Sequence, residues 1–276
     1  MKDKYQHQAQ LATIPPLEKA LIRVSRFFIK LFGNLLKTCC YPLYYLFPSI
    51  RLNLPVTSEP LWLGVRSALV PSIIWQTNFT GRVTLPVYLN YLFNRLMAPG
   101  FRYRFMVTGD RETFIKSNFE PRIYEAYKRI QIGAAQADLW RLLVLYKYGG
   151  VYMDIDAHLV WPLHRLIPSG QQELYLKIKT GEISNYFIAS QPGNKNLLEL
   201  INNIVENINT NTSSNVYDLT GPGVFNKVFK DRDVPTRYYL YTCNQGNFTN
   251  EYFQYIDKPQ GKWTKEQQKV DVIRRD

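Results

Sequence analysis

Two aspartates, Asp154 and Asp156, stand two residues apart in the stretch VYMDID that begins at Val151. Alternate side chains of an extended strand point to the same face, so both carboxylates are expected on one side. Oxygen ligands that close together suit a hard divalent cation, Mg²⁺ or Mn²⁺, with coordination positions left open for substrate phosphates. A pair of solvated acids at the end of a strand is the alternative interpretation.

A second charged pair precedes this strand in a strongly apolar stretch. Asp138 and Arg141 are three residues apart, which places them on the same side of a helix. Charge buried in such a helix is costly unless the two groups satisfy each other or an incoming polar ligand. Arginine is not a base at neutral pH, so Arg141 would donate hydrogen bonds to hydroxyl or phosphate oxygens. The pattern favours a substrate-binding pair over a structural ion pair.

The segments that must position these residues alternate between strands and helices. We expect strands at 72–76, at 103–107 and from residue 151, and helices over 84–97 and 134–148. Later segments continue the alternation with ELYLKIK, NYFIAS, a helix near 196–207, and RYYLYT. This order predicts an α/β fold with a mostly parallel sheet and helices on both faces. In such sheets ligands bind beyond the carboxyl ends of the strands, where Asp154 and Asp156 fall.

The composition narrows the class of protein. The chain has 276 residues, 46% of them hydrophobic, which excludes an intrinsically disordered protein. Its net charge of +12 favours nucleic acid, an anionic membrane or an acidic small molecule such as a nucleoside diphosphate as partner. Three cysteines give no disulfide framework and favour a reducing compartment. Zinc-ligand spacing, a P-loop and a dinucleotide-binding glycine motif are all missing from the sequence.

The N-terminal part predicts a basic amphipathic helix. At roughly 100° per residue, one line carries only apolar side chains and the opposite side carries the cations. The apolar line consists of Leu17, Leu21, Val24, Phe28, Leu31 and Leu35, and the cations are Lys19, Arg23, Arg26, Lys30 and Lys37. The longest charge-free run, 38–50, contains two prolines, so we expect the helix to lie on an anionic membrane surface rather than to span it. The alternative is a helix that packs on the body of the protein with its cations in water.

These features divide the chain into two predicted parts. Residues 1–60 form the helical, membrane-associating segment, with a boundary in the proline-bearing stretch 48–60, and residues 61–276 form the catalytic domain. The first ten residues lead into no signal peptide. We therefore expect a cytoplasmic protein, peripheral on the cytoplasmic face of a membrane, or a Golgi membrane location if the source is eukaryotic.

The sequence AQADLWR followed by LYKYGGVYMDID resembles the signature of the DXD sugar transferases of glycosyltransferase family 32. That family includes yeast mannosyltransferases and bacterial capsule or lipopolysaccharide transferases, and the catalytic domains of clostridial glucosylating toxins carry a similar block. Asp138 and Asp154 are 16 residues apart (154 − 138), as the signature requires. The segments VPSIIWQT, NYFIASQPGN and TGPGVF extend the resemblance over about 70–263.

The resemblance implies a GT-A fold and a metal-dependent, retaining transfer of a hexose. The donor would be a nucleotide diphosphate sugar, with UDP-hexose favoured and GDP-mannose possible, and the cofactor would be Mn²⁺ or Mg²⁺. The acceptor would be a glycan or glycolipid in surface polysaccharide biosynthesis, and nucleic acid would not be a partner. No further carboxylate is singled out as a nucleophile, and the resemblance implies attack and departure on the same face without one.

The resemblance also implies a role for each site residue. Asp154 would contact the ribose or sugar of the donor and would share the metal with Asp156, and Asp138 with Arg141 would hold sugar hydroxyls. Trp75 would stack on the nucleobase, and Trp263 would cover the diphosphate. The alternatives are a core position for Trp75 and an ordinary surface position for Trp263.

Two departures and two rival functions accompany this prediction. Trp75 stands where many relatives have the histidine of I-H-Q, and the C-terminal H-x-x-x-S-W element is reduced to GKW at 261–263. A toxin-like enzyme that glycosylates a protein is the alternative with the same chemistry. A non-catalytic basic adaptor for membrane or nucleic acid is the alternative from another class, and it rests on the charge and the N-terminal helix alone.

Overall fold

A computed structural model describes residues 14–62, 69–168 and 170–274. The strands are β1 (Leu52–Asn53), β2 (Thr57–Ser58), β3 (Ile73–Thr77), β4 (Arg82–Val83), β5 (Arg102–Met106), β6 (Gly150–Met153), β7 (Ala157–Leu159), β8 (Glu173–Lys177), β9 (Ile183–Ser190), β10 (Thr236–Tyr238) and β11 (Cys243–Gln245). The helices are α1 (Pro16–Leu46), α2 (Leu85–Met97), α3 (Thr108–Asn118), α4 (Pro121–Arg129), α5 (Gly133–Tyr148), α6 (Leu163–Leu166), α7 (Lys195–Thr210), α8 (Val216–Leu219), α9 (Pro222–Val228), α10 (Glu251–Tyr255) and α11 (Trp263–Glu266).

A seven-stranded sheet in the order β10-β8-β9-β6-β3-β5-β2 forms the centre of the fold. The strand pairings give five strands one direction, and only β2 and β9 run opposite to them. The predicted mostly parallel sheet is therefore confirmed. Because β9 is antiparallel, it begins at the edge where β3, β5 and β6 end, so its first residues join that edge.

Apolar side chains cover both faces of this sheet, as the α/β prediction requires. One core joins Trp75 of β3 to the buried helix α5 and to α7. The other core joins Ile74, the next residue back along β3, to α2 and to the far sides of β5 and β6. Alternate residues of β3 thus enter different cores, which leaves only the end of the strand free to reach a ligand.

The strand that carries the aspartates is shorter than predicted. β6 ends at Met153, and Asp154 to Asp156 lie in a turn. The turn is closed by a hydrogen bond from the Ala157 amide to the Asp154 carbonyl, with an N to O distance of 3.0 Å. At the start of the strand, Gly150 has a φ of +106°, and a Cβ there would lie 2.6 Å from the Ile73 carbonyl oxygen. Glycine is therefore required where β6 begins to pair with β3, and the turn, not strand alternation, places the two carboxylates.

The predicted N-terminal helix is α1, 31 residues long, and it lies against the body of the protein through the buried residues Ile22, Ile29, Cys40 and Tyr44. In the described part of the chain, no helix is both long and apolar enough to cross a membrane. The stretch 48–60, in which the sequence predicts a boundary, contributes β1 and β2, and β2 is the edge strand beside β5. The chain has therefore joined the central sheet before residue 60.

Candidate active site

A cavity of about 670 Å³ opens at the edge where the parallel strands end. Its wall includes Thr77 at the end of β3, Thr108 after β5, Asp154 after β6 and Asn185 near the start of β9. Cavities of roughly 300–1,000 Å³ with a few convergent polar groups are the usual form of small-molecule sites. All four residues of the predicted charged constellation, Asp138, Arg141, Asp154 and Asp156, line it.

The carboxylates of Asp154 and Asp156 converge on one point. The side-chain nitrogen of Gln245 donates to Oδ2 of Asp154 at 3.2 Å and to Oδ1 of Asp156 at 3.0 Å. One positively polarised group is thus shared by two acids, as a bound cation would be. Among the residues that the structure describes, no three or more His, Cys, Asp or Glu side chains are arranged so that together they could hold a metal ion.

The surroundings make the charge of Asp156 costly. Burial raises the pKa of its carboxyl to about 6, and the neighbouring Asp154 acts in the same direction. Hydrogen bonds from Gln254 and Gln245 oppose the rise. A cation would relieve this cost directly because it replaces carboxylate repulsion with attraction.

Asp138 and Arg141 form a buried ion pair in α5. Nη2 of Arg141 lies 2.7 Å from Oδ1 of Asp138, and the two side chains are only 5% and 7% exposed. Asp138 also accepts hydrogen bonds from Asn185 Nδ2 at 2.9 Å and from Thr220 Oγ1 at 3.0 Å. Burial raises the pKa of Asp138 to about 6 in spite of its arginine partner.

This pair is connected to the aspartates of the turn. Nη1 of Arg141 lies 3.3 Å from Oδ1 of Asp154 and donates to the Asn185 carbonyl at 2.7 Å. The Tyr152 ring lies under the guanidinium, 4.4 Å from its central carbon, and the Tyr152 hydroxyl donates to Asp154 at 2.6 Å. Arg141 therefore fixes the position of Asp154 as well as that of Asp138.

The protein leaves both members of the pair some capacity for a ligand. Arg141 has five N–H donor positions, and two hydrogen bonds, to the carbonyls of Ala137 and Asn185, use part of them beside its ion pairs with Asp138 and Asp154. Asp138 accepts two hydrogen bonds, from Asn185 and Thr220, where a carboxylate offers about four acceptor positions. Both side chains line the cavity and keep hydrogen-bonding capacity, which is compatible with contact to a sugar hydroxyl.

Arg111, in the first turns of α3, is a buried cation in the wall of the cavity. It is 2% exposed and donates from Nη2 to Thr108 Oγ1 at 3.0 Å. Its Nε has no hydrogen-bond partner, and no carboxylate pairs with it in the described part of the chain. Burial lowers the pKa of this guanidinium. An anionic or carbonyl group of a ligand would complete its hydrogen bonding.

Of the two predicted tryptophans, one lines the cavity and one does not. Trp263, at the start of α11, is half-buried in the wall. Trp75 is 4% exposed in the core, donates from Nε1 to the Gly149 carbonyl at 2.9 Å, and stacks on Tyr148. In this structure Trp75 therefore occupies the core position that the sequence left as the alternative to stacking on a nucleobase. Phe79, which follows the same strand, lies in the cavity wall instead.

Sequence reasoning assigned no role to several residues that the structure brings to the site. Asn185 and Thr220 lie in the segments NYFIASQPGN and TGPGVF, which carry the family resemblance. The resemblance therefore singled out these segments but did not predict which residues the two side chains contact. Gln245 and Arg111 lie in no motif, and no pattern of spacing connects them to the aspartates. They could be found only from the folded chain.

The cavity and its charged network are compatible with the binding of a polar, phosphate-bearing small molecule. Residues 86–173, about a third of the chain, match the family described as a glycosyltransferase sugar-binding region containing the DXD motif. The matched region contains Asp138, Arg141, Asp154 and Asp156, which line the cavity. The chain is therefore a glycosyltransferase, and it is similar to the DXD sugar transferases, as its signature predicts.

Two sequence relatives are glycosyltransferases by name. An uncharacterised glycosyltransferase of Acanthamoeba polyphaga mimivirus is 29% identical over 196 residues, which cover 66% of this chain and 77% of that protein. The initiation-specific alpha-1,6-mannosyltransferase of Schizosaccharomyces pombe is 23% identical over 193 residues, 59% of this chain and 48% of that protein. Among solved structures, PaToxG glycosyltransferase aligns over 77% of this chain and 76% of that chain, with 16% identity and a TM-score of 0.46.

Proposed function

We propose that this glycosyltransferase is of the GT-A type and moves a hexose from a nucleoside diphosphate sugar, with UDP-hexose favoured over GDP-mannose, to a glycan or glycolipid acceptor in surface polysaccharide biosynthesis. The observation that carries the proposal is the convergence of Asp154 and Asp156 on one point, beside the buried Asp138–Arg141 pair. Two carboxylates in this arrangement repel an anionic donor unless a cation lies between them and its phosphates.

The residues present fit a divalent cation, Mn²⁺ or Mg²⁺. Asp154 and Asp156 offer hard oxygen ligands close to a shared point, and Asp156 has the raised pKa that a cation would lower again. Two protein carboxylates are enough for such an ion when substrate phosphates and water complete its coordination. When bound, the ion neutralises the charge that develops on the departing diphosphate.

The chain's own side chains account for the rest of donor binding. Arg141 and Asp138 hold hydroxyls of the hexose through their remaining hydrogen-bonding positions, and Arg141 keeps Asp154 in place. Arg111 donates to a carbonyl or phosphate oxygen of the nucleotide. Phe79 takes the stacking role first assigned to Trp75, and Trp263 covers the diphosphate. We further propose that anomeric configuration is retained.

The test is hydrolysis of a panel of nucleotide sugars by the full chain with Mn²⁺ or with a chelator. We expect Asp156→Asn to lose at least nine tenths of the metal-dependent hydrolysis with an unchanged melting temperature, because the substitution removes a charged ligand and keeps the shape of the side chain. The matched control is Asp231→Asn, at an exposed aspartate outside the cavity, which should behave as wild type. Equal activity of wild type and Asp156→Asn would exclude the metal assignment, and a wild type inactive on every donor would favour the non-catalytic adaptor.

A further inference from the structure

The helix α1 presents a continuous apolar row to solvent. Its buried residues face the body, so the row predicted from the sequence points the other way. The exposed row consists of Leu17, Leu21, Val24, Phe28, Leu31 and Leu35, whose side chains are between 46% and 73% exposed. Phe27 and Phe32 widen it, at 65% and 57% exposed. Folding of this chain therefore leaves phenylalanine and leucine side chains of α1 exposed along one face, and an exposed apolar patch of this kind marks an interaction surface.

Two of the five cations of α1 lie along one edge of this row, and the other three lie on the opposite side, toward the body of the protein. Within α1 the only acid is Glu18, whereas five residues are basic: Lys19, Arg23, Arg26, Lys30 and Lys37. At roughly 100° per residue, Arg23 and Lys30 lie between the apolar row and the side that packs on the body, and both are exposed. Long basic side chains in that position can extend their charged ends toward headgroups while the apolar row enters the bilayer.

We propose that the exposed row of α1 is the surface by which this protein docks, peripherally, on a bilayer that contains anionic lipid. The chemistry of the row and its border is that of an interfacial helix, apolar on one side and cationic beside it. A second copy of the same helix fits less well, because it would bring two basic borders together on proteins of net charge +12. The packing of α1 on the body and its role at a membrane are thus compatible, since they use different faces.

The side of α1 that faces the body contacts a segment that lines the active site. Lys37 Nζ donates to the Gly246 carbonyl at 2.7 Å, and Asn250 Nδ2 donates to the Tyr41 hydroxyl at 2.7 Å. Gly246 and Asn250 also line the catalytic cavity. This segment lies between the cavity and α1, and a helix with its side chains is about 10–12 Å across. A bilayer docked on the outer face of α1 would therefore lie close to the site. An acceptor sugar carried on a lipid headgroup would then lie only a short distance from the cavity. This consequence rests on the proposed function.

The test is flotation of the full chain with phosphatidylcholine vesicles, with and without one quarter phosphatidylglycerol, in low and high salt. We expect binding to the anionic vesicles, weakened by salt because screening acts on the cations. The triple variant Phe28→Ser, Leu31→Ser, Leu35→Ser should lose at least tenfold in vesicle partition. The matched control is Leu198→Ser with Val270→Ser, two exposed apolar residues elsewhere at 37% and 41% exposure, which should bind as wild type.

Each remaining outcome has a defined consequence. Wild type that ignores anionic vesicles, or a triple variant that binds like wild type, overturns the proposal. Light scattering that shows a wild-type dimer, dispersed by the triple variant and indifferent to vesicles, overturns it in favour of self-association. Donor hydrolysis without vesicles reports on the proposed function separately, since none of the substituted residues lines the cavity. The triple variant should keep that hydrolysis, so loss of docking and loss of catalysis are distinguishable.

Discussion

Nη1 of Arg141 lies 3.3 Å from Oδ1 of Asp154 while Nη2 of the same guanidinium lies 2.7 Å from Asp138. One side chain thus connects the acid of α5 to the first acid of the DXD turn. The two halves of the family signature, 16 residues apart in sequence, meet at a single arginine.

This connection predicts how the pair responds to substitution. Arg141→Ala should lower the free energy of unfolding by about 3–5 kcal/mol, because it leaves Asp138 buried without its partner. The double variant Asp138→Ala, Arg141→Ala should regain part of that stability and stay inactive if the pair holds substrate and Asp154. Urea unfolding and donor hydrolysis together check this. Arg232→Ala, which breaks an exposed pair with Glu199, is the control and should cost about 1 kcal/mol or less. An active double variant would show that the pair is only structural.

Metal binding should depend on pH through Asp156. The folded pKa of about 6 lies above the ordinary aspartate value, so protons compete with the cation below pH 6. Mn²⁺ affinity, measured by calorimetry, should be about tenfold weaker at pH 5 than at pH 7. The raised pKa values of Asp138 and Asp156 also mean that these groups stabilise the metal-free fold most at low pH, and that this contribution is lost as pH rises through about 6. An affinity that is flat between pH 5 and 7 would contradict the assignment of Asp156 as a ligand.

Gln245 is expected to bind the cation by its oxygen. In the structure its amide nitrogen bridges Asp154 and Asp156, and rotation of the amide by half a turn would direct the oxygen to the same point. Gln245→Leu should therefore weaken Mn²⁺ binding several-fold, and Gln245→Glu should restore or strengthen it by adding a carboxylate. Calorimetric titration with Mn²⁺ alone measures both. Stronger binding by Gln245→Leu would mean that the amide only competes with the ion.

Arg111 should contribute to nucleotide affinity and not to stability. Arg111→Met removes a buried cation that has no carboxylate partner in the described part of the chain, so the melting temperature should stay the same or rise. Binding of UDP should weaken about tenfold or more, since a charge-assisted hydrogen bond contributes about 1.5–3 kcal/mol. Arg111→Lys, which keeps the charge, should lose less. Unchanged UDP affinity in Arg111→Met would exclude this role.

The docking of α1 on the body should depend on Gly33. A Cβ at this position would lie 2.8 Å from the Asn247 carbonyl oxygen, which is backbone and cannot move aside easily. Gly33→Val should therefore lower the melting temperature by several degrees, because overpacking typically costs about 1–3 kcal/mol. It should also reduce donor hydrolysis, since Gly246, the residue before Asn247, lines the cavity. Gly109→Ala, at a glycine with no neighbour within 4 Å, is the control. A Gly33→Val protein as stable as the control would show that this contact contributes little.

Several features of the fold and of the site could be predicted from the sequence alone. The order of strands and helices, the DXD pair, the Asp-x-x-Arg pair and the apolar row of α1 all follow from local periodicity, glycine positions and a motif of specific spacing. These signals act within about 20 residues, so they do not depend on where the chain goes next. They were sufficient to predict the α/β class, and the family resemblance that the motif carries implied the glycosyltransferase class.

Other features depend on contacts that only the tertiary structure creates. Trp75 is in the core because β3 lies between β5 and β6 and has helices on both faces, a position that no local pattern reveals. Gln245 and Thr220 reach Asp154 and Asp138 across 91 and 82 residues of sequence. The sequence likewise predicted that the apolar row of α1 lies on one face of a helix. It did not predict whether that face packs on the body or faces solvent. Packing of Ile22, Ile29 and Tyr44 on the body decided which face stayed exposed, because burial depends on the neighbours that the fold supplies.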